Sequence, residues 1–388
     1  MTSMPAPLWR LTLARAAAWA LLMSGWIGLG SLALPLAPSA LVMFALIAAW
    51  LLMLGAAATI ATGGDLPPWL RLVTLALAAC ITAGGVWGAA HGGGLAAIAF
   101  AVLGWAALTA LASGVVRSLR LAHPVAPGPP IAAASAGAAC AALVLGDVGD
   151  LQALAWRLIA FVGLTTALLI ALQARARMRA RAPSCRAGLF DCSLPAWPAG
   201  AWRDTLQWPT LLAGLAMLPM MAALPLMADW CRAQAVPPQA MVALHLAAMF
   251  GPVLLLRRAI GAWPLWRLSA VCAGLLAAGA AIVAWAAAPW DLLGLALTHG
   301  AAWGLAWGGQ LWAPARRGQQ GTSPLRAAAG YAVLTLAVGV VVDLFGARGL
   351  HGVHALLGLT AALAWLATLA RTRHVDPDAT RPLPPRVR

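Results

Sequence analysis

Twelve long runs of apolar residues dominate the sequence and constrain its fold more than any other feature. They centre near residues 24, 51, 79, 105, 139, 162, 218, 247, 276, 302, 336 and 361. About 20 helical residues cross the hydrocarbon core of a bilayer, and backbone groups inside lipid must be hydrogen-bonded within the segment. Of the 388 residues, 63% are hydrophobic and 9% are charged, too few to cover a water-facing surface. We therefore predict an all-α polytopic membrane protein with twelve transmembrane helices.

The arginines between the runs alternate from one connection to the next. Even-numbered connections and the segment after the twelfth run are rich in arginine, whereas odd-numbered connections are short and carry little charge. Because basic residues concentrate in cytoplasmic loops, this pattern places both termini in the cytoplasm. The net charge of +15 comes entirely from arginine and aspartate. We interpret it as topology information and not as a nucleic-acid-binding surface, and we expect a bacterial inner-membrane protein in contact with the lipid bilayer.

The longest connection divides the chain into two sets of six runs. We predict an N-terminal half over 1–173, a basic cytoplasmic linker over 174–209, a C-terminal half over 210–372 and a cytoplasmic tail over 373–388. Two six-helix halves joined by a cytoplasmic loop are the layout of the major facilitator superfamily. The superfamily's loop motif between the second and third helices is barely present, since the sequence there reads Gly63-Gly64-Asp65. The expectation of this fold therefore depends on topology and on the region of the eighth run, described next.

Methionine and histidine cluster on the seventh and eighth runs. Met217 and Met221 are four residues apart, and Met241, His245 and Met249 follow at the same spacing on the next run. Residues four apart share one face of a helix. Thioether sulfur and imidazole nitrogen are neutral, soft-to-borderline donors that suit Cu(I) and not hard cations. A polar group within a membrane span is costly and usually functional, whereas methionine alone is often a filler of apolar cores.

Two of these motifs resemble a known family. Met217-xxx-Met221 followed by His245-xxx-Met249 is similar to the paired MxxxM and HxxxM motifs of CcoA-type copper importers of the major facilitator superfamily, with the same offset of 245 − 217 = 28 residues. The resemblance is close over 217–249 and loose over the rest of the chain. It implies import of copper as the transported substrate, without a permanent cofactor, in support of cbb3-type cytochrome oxidase assembly. It also implies that Met217, Met221, His245 and Met249 are the metal ligands.

Secondary candidates lie near this cluster. Met241 continues the stripe of the eighth run, and Cys231, just beyond the seventh run, could capture incoming copper on the periplasmic side. His299 in the tenth run could face the transport path. Met23, Met43 and Met53 occupy the first two runs, the counterparts of the seventh and eighth, and could offer a further soft group. We also expect a cytoplasmic copper acceptor as a partner and a monomeric protein.

Other functions remain open at this stage. One alternative is a major facilitator transporter of an organic solute, in which the methionines only line the transport path and bind no metal. Another is a membrane sensor that binds a metal or haem through its histidines. The sequence contains no HExxH motif, no Ser/His/Asp set and no paired carboxylates within the apolar runs. We therefore expect a protein that is not an enzyme.

Overall fold

The fold is built from long helices, which a computed structural model describes over residues 8–33, 39–63, 67–120, 128–145, 150–174, 231, 233–256, 259–260, 263, 265–312 and 324–372. The described helices are α1 Leu8–Ala33, α2 Ala40–Gly63, α3 Pro68–Ala90, α4 Gly94–Arg120, α5 Gly128–Leu145, α6 Leu151–Ala174, α7 Pro238–Leu255, α8 Leu265–Trp285, α9 Trp290–Trp312 and α10 Pro324–Thr372. Each of them coincides with an apolar run of the sequence. The seventh run, most of the predicted linker and the tail lie outside the described residues, so those boundaries stay predictions.

Helix α10 covers the last two runs. At Gly346 the backbone adopts φ 62° and ψ −148°, a conformation open to glycine because it has no Cβ atom. The chain therefore breaks there into two spans, and α7, α8 and α9 are the eighth, ninth and tenth spans. The prediction of an all-α protein with twelve spans is confirmed as the fold class by the described helices and by the structural comparisons reported below.

Part of the described chain has the length and apolar surface that a bilayer requires. Four segments are long and apolar enough to cross a membrane: Trp69–Ala90, Gly94–Val116, Leu151–Ala174 and Ala328–Gly346. Large apolar side chains point outward from the bundle, including Leu143, Leu164 and Trp285. Such side chains are stable against lipid tails and unfavourable in water. The protein is therefore a multi-pass membrane protein.

Within each half the helices pack closely through small residues. In the N-terminal half α1 packs against α4, α5 and α6, and α3 packs against α4 and α6. A Cβ atom at Gly137 of α5 would collide with the carbonyl oxygen of Ala16 in α1. Glycine thus permits main-chain contact between these helices, as is common in membranes.

The two halves meet along two helix pairs. Helix α2 packs against α10, and α5 packs against α7. At the first of these contacts a Cβ atom on Gly339 would lie 2.8 Å from the Cβ atom of Phe44. In the C-terminal half α9 packs against both α7 and α8. The predicted ligands on the eighth run therefore lie on a helix that touches both halves.

Candidate metal site and the central contact between the halves

Helix α7 carries the described part of the predicted copper site. Met241, His245 and Met249 are all buried, with 2%, 9% and 2% of their surfaces exposed. Their spacing places them on one side of α7, the side that faces α9. Met217 and Met221 lie outside the described residues, so their part in the site stays a prediction.

The His245 imidazole is oriented by a main-chain partner on α9. Its Nδ1 atom lies 3.0 Å from the carbonyl oxygen of Ala296. A carbonyl oxygen can only accept a hydrogen bond, so Nδ1 carries the proton and donates it. In the neutral ring Nε2 then holds the free lone pair. Metal-binding histidines typically use this arrangement, in which one ring nitrogen is held by a carbonyl and the other binds the ion.

Two glycines bring α9 against the backbone of α7 at the same level. A Cβ atom on Gly300 would lie 2.7 Å from the carbonyl oxygen of His245 and 3.0 Å from its Nδ1 atom. A Cβ atom on Gly304 would collide with the carbonyl oxygen of Met249. Any side chain larger than hydrogen would push α7 away from α9. Gly300 and Gly304 therefore set the position of the two predicted ligands.

Cys231 and Met241 form a small buried cluster with Leu292 and Ala296. Cys231 has no exposed surface, and burial raises the pKa of its thiol. The thiol is therefore protonated near neutral pH, whereas the thiolate is the form that binds metals well. Through Ala296 this cluster adjoins His245, so sulfur groups continue from the predicted site toward the end of the bundle where α7 begins.

The turn that covers Cys231 is attached to the start of α9. The amide nitrogens of Gln234 and Val236 donate to the carbonyl oxygen of Cys231, over 3.3 and 2.8 Å. The Gln234 side chain donates to the carboxylate of Asp291 over 3.2 Å. Asp291 lies in the first turn of α9 and also accepts from the amide of Leu292 at 2.8 Å. This turn closes the outer end of the sulfur cluster.

His299 lies on a different side of α9 from the one that contacts α7. It is 3% exposed, and its Cδ2 atom would lie 3.1 Å from a Cβ atom on Gly279 of α8. The ring is therefore set against α8 and does not point at His245. The other secondary candidates, Met241 and Cys231, lie with His245 on the α7–α9 contact, so the structure separates His299 from them.

An aromatic contact joins the two halves near the middle of α1 and α9. The ring of Trp19 in α1 meets Phe250 of α7 edge-on at a centroid distance of 5.6 Å and Trp303 of α9 at 6.0 Å. All three side chains are at most 2% exposed. The sequence analysis did not predict this contact. The available signal was position, because Trp19 and Trp303 lie near the centres of their runs and not at the ends.

The charge of this region is low. The described carboxylates are Asp150, Asp291 and Asp343, and none of them lies beside His245. Among the described residues no group of three or more His, Cys, Asp or Glu side chains could hold a metal ion. A cation at His245 would therefore depend on neutral nitrogen and thioether donors.

The fold resembles solved transporter structures. No family model matches the sequence, and no curated protein matches it. The chain is similar to the nucleoside transporter NupG, with 14% identity, a TM-score of 0.61 and coverage of 94% of this chain and 98% of that one. A structure of a point mutant of the same transporter gives 15% identity, a TM-score of 0.57 and coverage of 93% and 98%. The human organic anion transporter MFSD10 (TETRAN) gives 13% identity, a TM-score of 0.52 and coverage of 92% and 97%. At sequence identities this low, the similarity concerns the fold alone. It establishes that the chain adopts the major facilitator fold.

Proposed function

We propose that this protein imports copper, as Cu(I), across the bacterial inner membrane and supplies the assembly of a cbb3-type cytochrome oxidase. The observation that carries the proposal is the buried His245, whose Nδ1 atom is held by Ala296 at 3.0 Å so that Nε2 is available to an ion. Met249 follows one turn later on the same side of α7. An imidazole nitrogen and a thioether are a donor set for a soft monovalent cation.

The proposed mechanism is alternating access. Copper enters between the halves from the periplasm and binds His245 and Met249, together with Met217 and Met221 of the seventh span. Neutral donors leave the positive charge of the ion only partly compensated, which favours release over storage. Rocking of the halves then opens the site to the cytoplasm, where an acceptor protein takes the ion. Both termini lie in the cytoplasm in this arrangement, as the arginine pattern predicts.

Pro252 gives α7 a point at which it can bend during this movement. It lies inside the helix, three residues after Met249. Proline cannot donate to the carbonyl four residues earlier, so the backbone hydrogen-bond ladder is interrupted there. A bend at this point would change the orientation of the site relative to the remainder of α7.

Radiocopper uptake tests the proposal. Cells expressing the wild type are compared with His245→Ala, Met217→Ala and a control variant, His91→Ala. His91 is an exposed histidine that stacks on Trp87, away from the site. We expect uptake to fall by about tenfold or more in the first two variants, because each loses a ligand worth at least about 1.4 kcal/mol. His245→Gln keeps a donor for Ala296 but lacks the imidazole, and we expect it to fail as well. Wild-type uptake in both His245→Ala and Met217→Ala, at equal protein level, would exclude the copper site.

A second candidate is transport of an organic solute. It is supported by the likeness in fold to transporters of nucleosides and organic anions, and by the aromatic residues at the centre of the bundle. Under this hypothesis Trp19 and Trp303 would contact the solute, and His245 would have no role in uptake. Thermal stabilisation of the purified protein by a nucleoside or an organic anion, without stabilisation by Cu(I), would favour this candidate over copper.

A further inference from the structure

We propose that Arg15 of α1, together with the ring of Trp19, forms a binding site for a small aromatic anion between the two halves. The ligand class is a carboxylate or a phosphate attached to a flat apolar body. The copper proposal uses neutral donors for a cation at His245, so this site goes beyond that proposal and does not depend on it. Three observations carry the inference: the burial of Arg15, the side of α1 on which it lies, and the aromatic rings one turn away.

Arg15 is enclosed by the protein although it lies in a membrane-spanning helix. It is 3% exposed, and among the described side chains it is the one buried arginine. Arg15 is the eighth residue of α1, about 10 Å from the first. An arginine this close to a helix end commonly extends to the lipid headgroups, but its guanidinium group would then be exposed. A charge held inside a membrane protein is costly and commonly marks the path of a substrate.

The contacts of α1 determine the direction in which Arg15 points. Ala16 meets α5, Gly25 meets α4 and Gly28 meets α6, whereas Trp19 meets the C-terminal half. Successive residues are about 100° apart around a helix. On this scale Arg15 is about 40° from Trp19 and at least about 80° from each of the other three. Arg15 therefore lies on the side of α1 that faces the C-terminal half.

The surroundings of Arg15 on this side suit an aromatic anion. Trp19 follows one turn later, and its ring meets Phe250 and Trp303 of the other half. A guanidinium group donates two parallel hydrogen bonds to a carboxylate or a phosphate. Its five N–H donors allow Arg15 to keep its interactions within the protein while it binds a ligand. The aromatic rings provide an apolar surface for the body of the ligand.

The proposed anion site and the proposed copper site lie on opposite sides of the aromatic contact. In a bundle of alternating spans the first and the eighth run in opposite directions. Arg15 comes four residues before Trp19, and His245 comes five residues before Phe250. At a rise of 1.5 Å per residue the two are about 13 Å apart along the helix axes. A bound anion would offset the repulsion between Arg15 and a copper ion, so the two sites are compatible.

Binding of matched ligands tests the inference in the intact protein. Purified wild type in detergent is titrated calorimetrically with benzoate, with phenyl phosphate and with benzyl alcohol, a neutral molecule of similar size. We expect at least one anion to bind about tenfold or more tightly than benzyl alcohol, because hydrogen bonds between charged groups are about twice as strong as neutral ones. The anion that binds more tightly identifies the preferred acidic group.

Substitutions of two arginines on the same helix locate the site. Arg15→Gln should weaken binding of the preferred anion by about tenfold or more and leave the affinity for benzyl alcohol unchanged. Arg15→Lys keeps the charge but lacks the planar pair of donors, so we expect an intermediate affinity. The matched control is Arg10→Gln. Arg10 lies five helical turns from Gly28, on the side that faces α6, and we expect this variant to keep the wild-type affinity.

The outcomes separate this inference from the copper proposal. Wild type that binds neither anion, or binds them no more tightly than benzyl alcohol, overturns the anion site without the use of any variant. An equal loss of affinity in Arg15→Gln and Arg10→Gln also overturns it, because the effect would then come from net charge. None of these results changes the loss of radiocopper uptake expected for His245→Ala, so the two proposals fail separately.

Discussion

Replacing Trp19 by leucine should loosen the closed state of the bundle. The Trp19 ring makes edge contacts with Phe250 at 5.6 Å and with Trp303 at 6.0 Å. Each aromatic pair contributes about 0.5–1.5 kcal/mol beyond its buried area, so the variant loses about 1–3 kcal/mol from the state in which the halves touch. A free energy of that size shifts a two-state equilibrium by about 5- to 150-fold.

The shift can be measured as thiol accessibility. Leu246 lies one turn from Phe250 on the same side of α7 and is 6% exposed. In a cysteine-free protein in detergent, Leu246→Cys reports opening of the central space through its rate of reaction with a maleimide. We expect Trp19→Leu to raise this rate by about 5- to 150-fold, in proportion to the open population.

Trp105→Leu is the matched control for this experiment. Trp105 is as buried as Trp19, but its Nε1 donates to the carbonyl oxygen of Leu21 over 2.8 Å, within the N-terminal half. Its loss should lower stability without opening the space between the halves. An unchanged rate in Trp19→Leu, or an equal increase in Trp105→Leu, would refute the view that the aromatic contact holds the halves together.

Two further predictions concern the surroundings of His245. Gly304→Ala should reduce copper uptake by about tenfold or more, because the new methyl group meets the carbonyl oxygen of Met249. Gly274→Ala in α8, where a Cβ atom meets nothing within 4 Å, should leave uptake unchanged, and equal effects of the two changes would contradict the positioning role. Burial raises the pKa of Cys231. In a protein with no other cysteine, the rate at which Cys231 is alkylated should therefore still increase with pH above about pH 9. The alkylation rate of an ordinary thiol approaches its maximum in that range. A pH profile that matches a free thiol in the same buffer would contradict this environment for Cys231.

Much of the fold follows from local features of the sequence. The described helices coincide with apolar runs because a backbone in lipid must satisfy its hydrogen bonds within each segment. Even the division of α10 is visible as Gly346 between two runs. The place of His245 on a buried helix is likewise local, because its spacing from Met241 and Met249 sets a shared side of α7.

The finer geometry depends on contacts between distant parts of the chain. The hydrogen bond from His245 to Ala296 joins residues 51 apart, and no local pattern gives the rotation of α7 that produces it. The same holds for Trp19, whose partners lie in the other half of the molecule. A tryptophan in an apolar run fits an interfacial anchor as well as a central contact, and only the packing distinguishes the two.

The glycine contact between α7 and α9 has a mechanical consequence. Two helices in main-chain contact at Gly300 and Gly304 have no side-chain layer in which to slide past one another. We expect α7 and α9 to move as one rigid body. The hydrogen bond between His245 and Ala296 would then persist throughout the conformational change. In the proposed copper mechanism the bound ion would therefore stay with the C-terminal half. Movement of the N-terminal half would expose the ion first to one side of the membrane and then to the other.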